Sequence, residues 1–407
     1  MKDLLLKKFK RFFDLLPFLI AAIYIAFSPL ITNDNVYIMI MFLSFFIWIL
    51  IHIKDMCINF KNYHVTWLLF IVWMIISIIY SIDKINGIKF SAVFSSIVMI
   101  GIFISFDCDY YIKFFINFLW GLLWIHIFAT FISFFKIDLI IQFCSNFMDH
   151  NTCLQIERWA VEFNSYAGIA GQLGTNALMI SLYLSITLAK LIEKKKISYI
   201  AFFILGWIAL VLTGKETFYL ANFLGLLTIS IIIIQKKYPN ILKKFMIALG
   251  IILVICFFLI ILNYDKLLDI YYEKSIDSRL ILYQSAFNAF ESSPIIGHGI
   301  NTIMLFSEHL THNIYLQLAA EIGLMGLIIF ISSIAITIIA TIKKMLHNQT
   351  ISNFLIISIY LQIFLLVDGF FGNPLFDYKF IIPYYFFIFI ALKSGHLKNK
   401  NLKGNNS

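Results

Sequence analysis

Arg279 and His312 bracket a stretch of this chain in which polar and ionisable side chains crowd together. It runs RLILYQSAFNAFESSPIIGHGINTIMLFSEHLTHNIYLQLAAEIGLMG, residues 279–326. A guanidinium is a permanently charged fork whose N–H groups grip phosphate oxygens in pairs. An imidazole takes up or releases a proton near neutral pH. Together they suit chemistry at a phosphate-bearing group. The chain holds only three arginines, Arg11, Arg158 and Arg279; every other basic side chain is lysine. Lys215, between Gly214 and Glu216, adds a cation at the end of an apolar segment, where snorkelling or pairing with Glu216 is its ordinary role. Arg158 and Arg279 are candidate anion binders. His298 and His309 compete with His312 for the proton-transfer role, since a histidine in a glycine turn or an exposed stretch also suits plain contact with water. The three histidines fit no zinc spacing and no cysteine joins them, so no metal is expected. Asn313 follows His312 directly. Glu321 stands four residues after Gln317, which turns both toward one helix face, and a buried hydrogen bond suits it as well as a functional role.

The elements that must position these residues are membrane helices. The 407 residues are 61% hydrophobic and 13% charged, with a mean hydropathy of +0.91. Soluble domains carry about 25% charged residues. The expected fold is therefore an all-α polytopic integral membrane protein, one membrane domain over 1–407. Twelve apolar segments are drawn at roughly 15–32, 36–53, 65–82, 90–106, 113–135, 166–189, 199–213, 217–235, 245–263, 313–342, 351–368 and 379–392. Each approaches the length of about 20 residues that spans hydrocarbon as helix. The division between 199–213 and 217–235 is the weakest, with only three residues to part them. An even count places both termini on one side. With the N-terminus inside, 22 basic residues fall on inner segments and 9 on outer ones, which predicts N-in and C-in. The formal charge of +9 follows from that sorting, and no nucleic-acid partner is expected. The basic start MKDLLLKKFKR reads as the lead of an uncleaved first helix.

Two external loops are long, 136–165 and 264–312, and long loops held by a rigid scaffold commonly carry function. Segment 279–291 has helical apolar spacing and predicts a helix on the membrane surface or packed on the bundle. Pro294 ends it, and Gly297 and Gly299 mark a turn. Cys144 and Cys153 share the first loop, where an oxidising side would permit a disulfide without requiring one; Cys57, Cys108 and Cys256 lie on inner segments or within a helix. The tail HLKNKNLKGNNS is polar and expected to be disordered. No P-loop, dinucleotide fingerprint or HExxH is present. A twelve-helix layout also suits a transporter, but a carrier concentrates its polar groups inside broken helices in matched halves. Here they gather in the outer loops.

The order arginine, helix-like stretch, SPIIGHG, then THNIYLQLAAEIGLMG resembles the signature region of the O-antigen polymerase and O-antigen ligase superfamily. Pro294, Gly297, Gly299, His312, Asn313, Tyr315, Leu316, Gly323 and Gly326 fill that pattern over about fifty residues. Weaker echoes are SIIYSIDKINGIKF after the third segment and RWAVEFN in the first long loop. The resemblance implies a bacterial inner-membrane, multi-pass glycosyltransferase with its active site facing the periplasm. It implies a polyprenyl-diphosphate-linked glycan as donor and a second such glycan, or lipid A core, as acceptor. No cofactor is implied; the bilayer and a chain-length regulator protein are the implied partners. Arg279 and His312 fall on the family's functional arginine and histidine. A second arginine usual outside the seventh helix is Lys215 here, which keeps the charge and loses the fork, and Arg158 is the candidate to compensate. Trp159, Tyr166, Tyr264, Tyr271, Tyr272 and Tyr283 are candidate sugar-stacking surfaces or members of an interfacial aromatic belt. Polymerisation is the preferred reading, with ligation second and a flippase or other transporter third.

Overall fold

The computed structural model describes residues 2–30, 34–55, 60–105, 109–238, 276–307, 309–348 and 351–393. The predicted segment 245–263, Tyr264, Tyr271, Tyr272, Cys57, Cys108, Cys256 and the C-terminal tail lie outside the described residues. The described residues form α-helices and short 3-10 turns, with no strand among them. The helices are α1 (Lys2–Phe27), α2 (Asp34–His52), α3 (Asn62–Ile79), α4 (Lys84–Ile104), α5 (Asp109–Phe135), α6 (Ile137–Cys144) and α7 (His150–Phe163). They continue as α8 (Leu173–Lys194), α9 (Ile197–Leu212), α10 (Glu216–Lys237), α11 (Ile276–Ser292), α12 (Ile314–His347), α13 (Asn353–Asp368) and α14 (Tyr378–Lys393).

Seven of these are long and apolar enough to cross a membrane, namely α2, α3, α4, α5, α8, α10 and α12. Three shorter apolar helices lie at Phe13–Phe27, Ile197–Leu212 and Asn353–Asp368. Eleven of the twelve predicted segments coincide with helices, and the weak division falls where expected, with Thr213, Gly214 and Lys215 between α9 and α10. The protein is a polytopic helical membrane protein.

Burial separates inner from outer helices. From Thr175 to Lys190 every residue of α8 is buried, as is every residue of α14 from Phe380 to Leu392. With α13 they form the centre, and α10 packs on α13 while α3 packs on α12. Outer helices leave apolar side chains such as Leu43, Phe46, Leu69 and Val72 exposed, the surface that hydrocarbon covers. Hydrogen bonds between helices replace those that water supplies elsewhere. Tyr360 donates to Asn222 Oδ1 (2.6 Å), Asn222 Nδ2 to Ser181 (2.7 Å) and Trp67 Nε1 to Thr337 (3.1 Å).

One helix is broken, and the break holds the signature turn. Inside α12, Gly323 has φ 68° and ψ −179°. A non-helical residue there frees carbonyls on one side and N–H groups on the other, and buried backbone groups need partners. The turn 294–299 supplies them. His298 N donates to Ala320 O (3.2 Å) and Gly299 N to Glu321 O (2.7 Å). In return Leu324 N donates to Pro294 O (2.8 Å) and Met325 N to Ile295 O (3.3 Å). Such close backbone approach excludes a side chain: a Cβ on Gly323 would stand 2.2 Å from Ile295 O, and one on Gly297, 2.3 Å from Glu321 O. The α3–α4 hairpin closes the other side. Tyr80 donates to Ile296 O (2.7 Å), Ile82 N to His298 O (3.3 Å) and Ile300 N to Ser77 Oγ (3.2 Å). SIIYSID and SPIIGHG are thus two halves of one contact.

The first long loop holds α6 and α7. Cys144 and Cys153 are both free and buried there, packed with Ile140, Ile156 and Leu173, and no disulfide joins them. Burial raises the Cys144 thiol to about 11, the direction of an unreactive thiol. In the second loop, the helix predicted at 279–291 is α11. It buries Ala286 and Ala289 with Ile303 and Ala320 and leaves Leu280, Ile281 and Phe287 exposed.

Candidate active site

A cavity of about 610 Å³ opens at the end of the bundle where α8, α10 and α12 begin and α13 ends. Gln155 and Trp159 of α7 form one wall, and Gln172 to Thr175 at the start of α8 form the next. Gly214, Lys215, Glu216 and Thr217 line it at the start of α10, with Arg279 from the first turn of α11 and His312 just before α12. Asp368 at the end of α13 and Asp377 in the connection to α14 complete the polar lining. Lys215, Arg279 and His312, far apart in the chain, therefore share one cavity.

Each is placed by its element. Lys215 stands at the N-cap position of α10, behind the tight turn at Gly214. His312 adopts a left-handed backbone with φ 52°, a conformation that costs a non-glycine residue about 1–3 kcal/mol and is held only by strong surroundings. Those surroundings are visible. Thr311 donates to Asn313 O (2.8 Å), and Asn313 Oδ1 accepts from Tyr315 N and Leu316 N (3.1 Å each) as the cap of α12. Ile314 N donates to Gly369 O (2.8 Å) and Tyr315 to Leu366 O (2.8 Å), which ties the start of α12 to the end of α13. Asn313 thus orients the histidine segment and does not line the cavity.

The electrostatics favour a neutral imidazole. Burial, then Arg279, Lys215 and His309, hold the His312 pKa below its ordinary 6.5. Burial, then Arg279, also lower that of Lys215, while Asp368 opposes the fall. Asp377 is raised by burial, against the pull of Lys379. Among the described residues, neither Lys215 nor Arg279 has a carboxylate within 4 Å; the ion pairs found are His52–Asp14 and Arg158–Glu162.

Two features went unnoticed in the sequence. Asp368 is 6% exposed at the cavity edge, and Asp377 joins it. An aspartate after an apolar helix reads as an ordinary boundary, so nothing marked either one. The second is a pair of uncapped helix starts. Gln172 precedes α8 and Lys215 precedes α10, and neither side chain caps its helix. First-turn N–H groups without a cap, at the positive end of the macrodipole, suit an anion.

The other candidates lie elsewhere. Arg158 points away, 67% exposed, and its Nε donates to Glu162 at 2.8 Å one helical turn on. The cavity instead receives Gln155 and Trp159 from that helix. Glu321 is fully buried and does not line the cavity. Its carboxylate accepts from Asn301 N (2.8 Å), Ile303 N (3.2 Å) and Gln317 Nε2 (2.9 Å), fastening the loop after the turn. His298 Nε2 donates to Ala289 O (2.9 Å) and lies 2.9 Å from Ser292 Oγ, holding the end of α11. His309 is exposed and off the lining. Tyr166 is buried against Phe134, and Tyr283 lies off the lining. No group of three or more His, Cys, Asp or Glu side chains is arranged to hold a metal ion among the described residues.

A comparison with curated proteins finds no match. Residues 201–331, from α9 into α12 and so including Lys215, Arg279 and His312, match the family described as O-antigen ligase, a match that supports the O-antigen ligase and polymerase superfamily.

Proposed function

We propose that the protein transfers a glycan from a polyprenyl-diphosphate donor to a second lipid-linked repeat unit, without a catalytic metal, at the outer face of a bacterial inner membrane. The convergence of Lys215, Arg279 and His312 on one cavity carries the reading. The family match supports activity of the O-antigen ligase or polymerase type and a membrane glycosyltransferase-like enzyme. When the glycosyl bond breaks, negative charge grows on the departing diphosphate. Arg279, Lys215 and the uncapped starts of α8 and α10 are fixed donors aimed at that charge, the arrangement that preorganised electrostatic catalysis requires. His312, held neutral at pH 7, accepts the proton of the acceptor hydroxyl as that oxygen attacks the sugar carbon. Asp368 helps Lys215 keep its charge. Trp159 and Gln155, which line the same cavity, offer a ring face and an amide to a sugar.

Polymerisation is preferred because Lys215 stands where the ligases carry a second arginine. Ligation to lipid A core is the second reading, favoured by the description of the matched family. Disruption of the gene in its host separates them on a polysaccharide gel. Core bearing a single repeat unit supports the polymerase, whereas bare core with accumulated lipid-linked polymer supports the ligase. His312→Ala and Arg279→Ala should each reduce transfer about 100-fold or more while the protein stays in the membrane. Full-length polymer from either variant removes that residue from the mechanism.

A further inference from the structure

A second hollow, of about 590 Å³, lies at the opposite end of the bundle from the cavity. The distance along α12 sets the separation: from Ile314 to Lys343 a helix rises about 40 Å. The start of α3, the last turns of α12 and the end of α14 surround it, through Lys61, Tyr63, Ile336, Ile339, Lys343 and Leu392. Ala340 and Lys344 also line it.

Its chemistry divides along its length. Ile336, Ala340 and Lys343 follow one another on a single face of α12 at spacings of four and three, with Ile339 beside them. The apolar part lies toward the middle of the bundle and the lysines toward its end. The lining contains three lysines and no carboxylate. Lys344 is already engaged, since its Nζ donates to Leu392 O and so closes the floor. Lys61 and Lys343 are exposed at the rim. An apolar trough ending in cations matches one occupant: a chain in the trough and a phosphate at the rim.

We propose that this hollow binds an anionic diacyl phospholipid of the leaflet opposite the cavity. One acyl chain lies along Ile336, Ile339 and Ala340, and the headgroup phosphate meets Lys61 and Lys343. The site is independent of the transfer reaction assigned to the cavity.

The test uses the full-length protein purified in detergent, with native mass spectrometry as the readout. Phosphatidylglycerol and phosphatidylcholine are added in competition. The wild type should retain phosphatidylglycerol. The double variant Lys61→Ala/Lys343→Ala should lose that preference by about 25-fold, about fivefold for each cation near a charged headgroup. The double variant Lys61→Arg/Lys343→Arg should keep it. Ala340→Trp, which fills the trough and leaves both lysines, should also lose phosphatidylglycerol. Equal retention of the two lipids by the wild type overturns the proposal, as does an unchanged preference in the double alanine variant. Undiminished binding to Ala340→Trp overturns the trough. Displacement by equimolar glycerol phosphate, which has the phosphate and no chains, assigns the site to a free phosphate and overturns the lipid. A melting temperature equal to wild type in each variant shows that lost binding is not lost folding.

Discussion

Two cations beside one imidazole create a particular proton balance. Burial opposes protonation of His312 most, and since like charges disfavour a third, Arg279 and Lys215 add to it. In the proposed reaction the base is therefore ready at neutral pH. Since the proposed transfer needs the neutral ring, activity should hold as pH falls past the ordinary histidine value of 6.5 and be lost only as pH passes through the lowered one. Lys215 carries the opposite sign. It must be charged, its pKa is lowered, and activity should decline on the alkaline side before an ordinary lysine near 10.4 would deprotonate. Initial rates of transfer across pH check both limbs. In Lys215→Gln, residual activity should show the acid limb moved up toward 6.5, because one source of repulsion is gone. An unmoved limb would detach His312 from the acid limb. The charge and the fork of an arginine are separable at the same position. Lys215→Ala should cost about 100-fold in rate, the usual loss of one preorganised donor, while Lys215→Arg should equal or exceed wild type. A silent Lys215→Ala would leave the diphosphate to Arg279 and the helix starts. At this scale the resemblance made Arg279, His312 and Lys215 legible, because charge and spacing alone left three histidines equal. It could not reveal Asp368 or Asp377, whose significance lies in the fold alone.

The motif read as a catalytic signature is largely a fastening at the scale of elements. Pro294, Gly297, Gly299, Gly323 and Gly326 do not touch the cavity. The first four let the turn 294–299 enter the break in α12 and exchange backbone hydrogen bonds with it, while Gly326 leaves room for Ile322 and Trp73. The apolar pattern of α12 continues without interruption through the break, so the sequence reads as one helix and the break is silent. Glu321 completes the device from below, accepting from Asn301 N and Ile303 N. The loop so held leads on to His312, which makes the fastening a condition of the site. Glu321→Ala would leave two backbone N–H groups buried without an acceptor, at about 1–3 kcal/mol each. Thermal unfolding in detergent should register a fall of several degrees, accompanied by a loss of transfer smaller than that of His312→Ala. Unchanged unfolding would show that the carboxylate is dispensable to the loop. Glu321→Gln keeps an acceptor oxygen and should fall between the two.

At the scale of the whole molecule, charge and chemistry pull in different directions across the membrane. The orientation predicted from the loops puts 22 basic residues inside and 9 outside. Two of the outer nine, Lys215 and Arg279, line the cavity. Cations are scarce on an outer face because translocation disfavours them, and the proposed anion binding gives this pair a reason to persist there. Among the described residues the helix ends alternate. The spanning helices alternate so that α8, α10 and α12 start at the cavity, while α14 ends away from it at Lys393. This regularity was legible because length and hydropathy fix a spanning helix almost alone, whereas the meeting of distant loops is fixed by packing. Labelling with a thiol reagent that cannot the membrane cross tests the orientation. In a background with all five cysteines replaced by alanine, Gln155→Cys would sit on the cavity wall and His347→Cys at the far end of α12. Applied to cells with a permeabilised outer envelope, the reagent should label position 155 and spare 347 until the inner membrane is opened. The reverse pattern would put the cavity on the cytoplasmic side, where a donor presented at the outer face never meets it, and would end the proposed reaction as well as the topology.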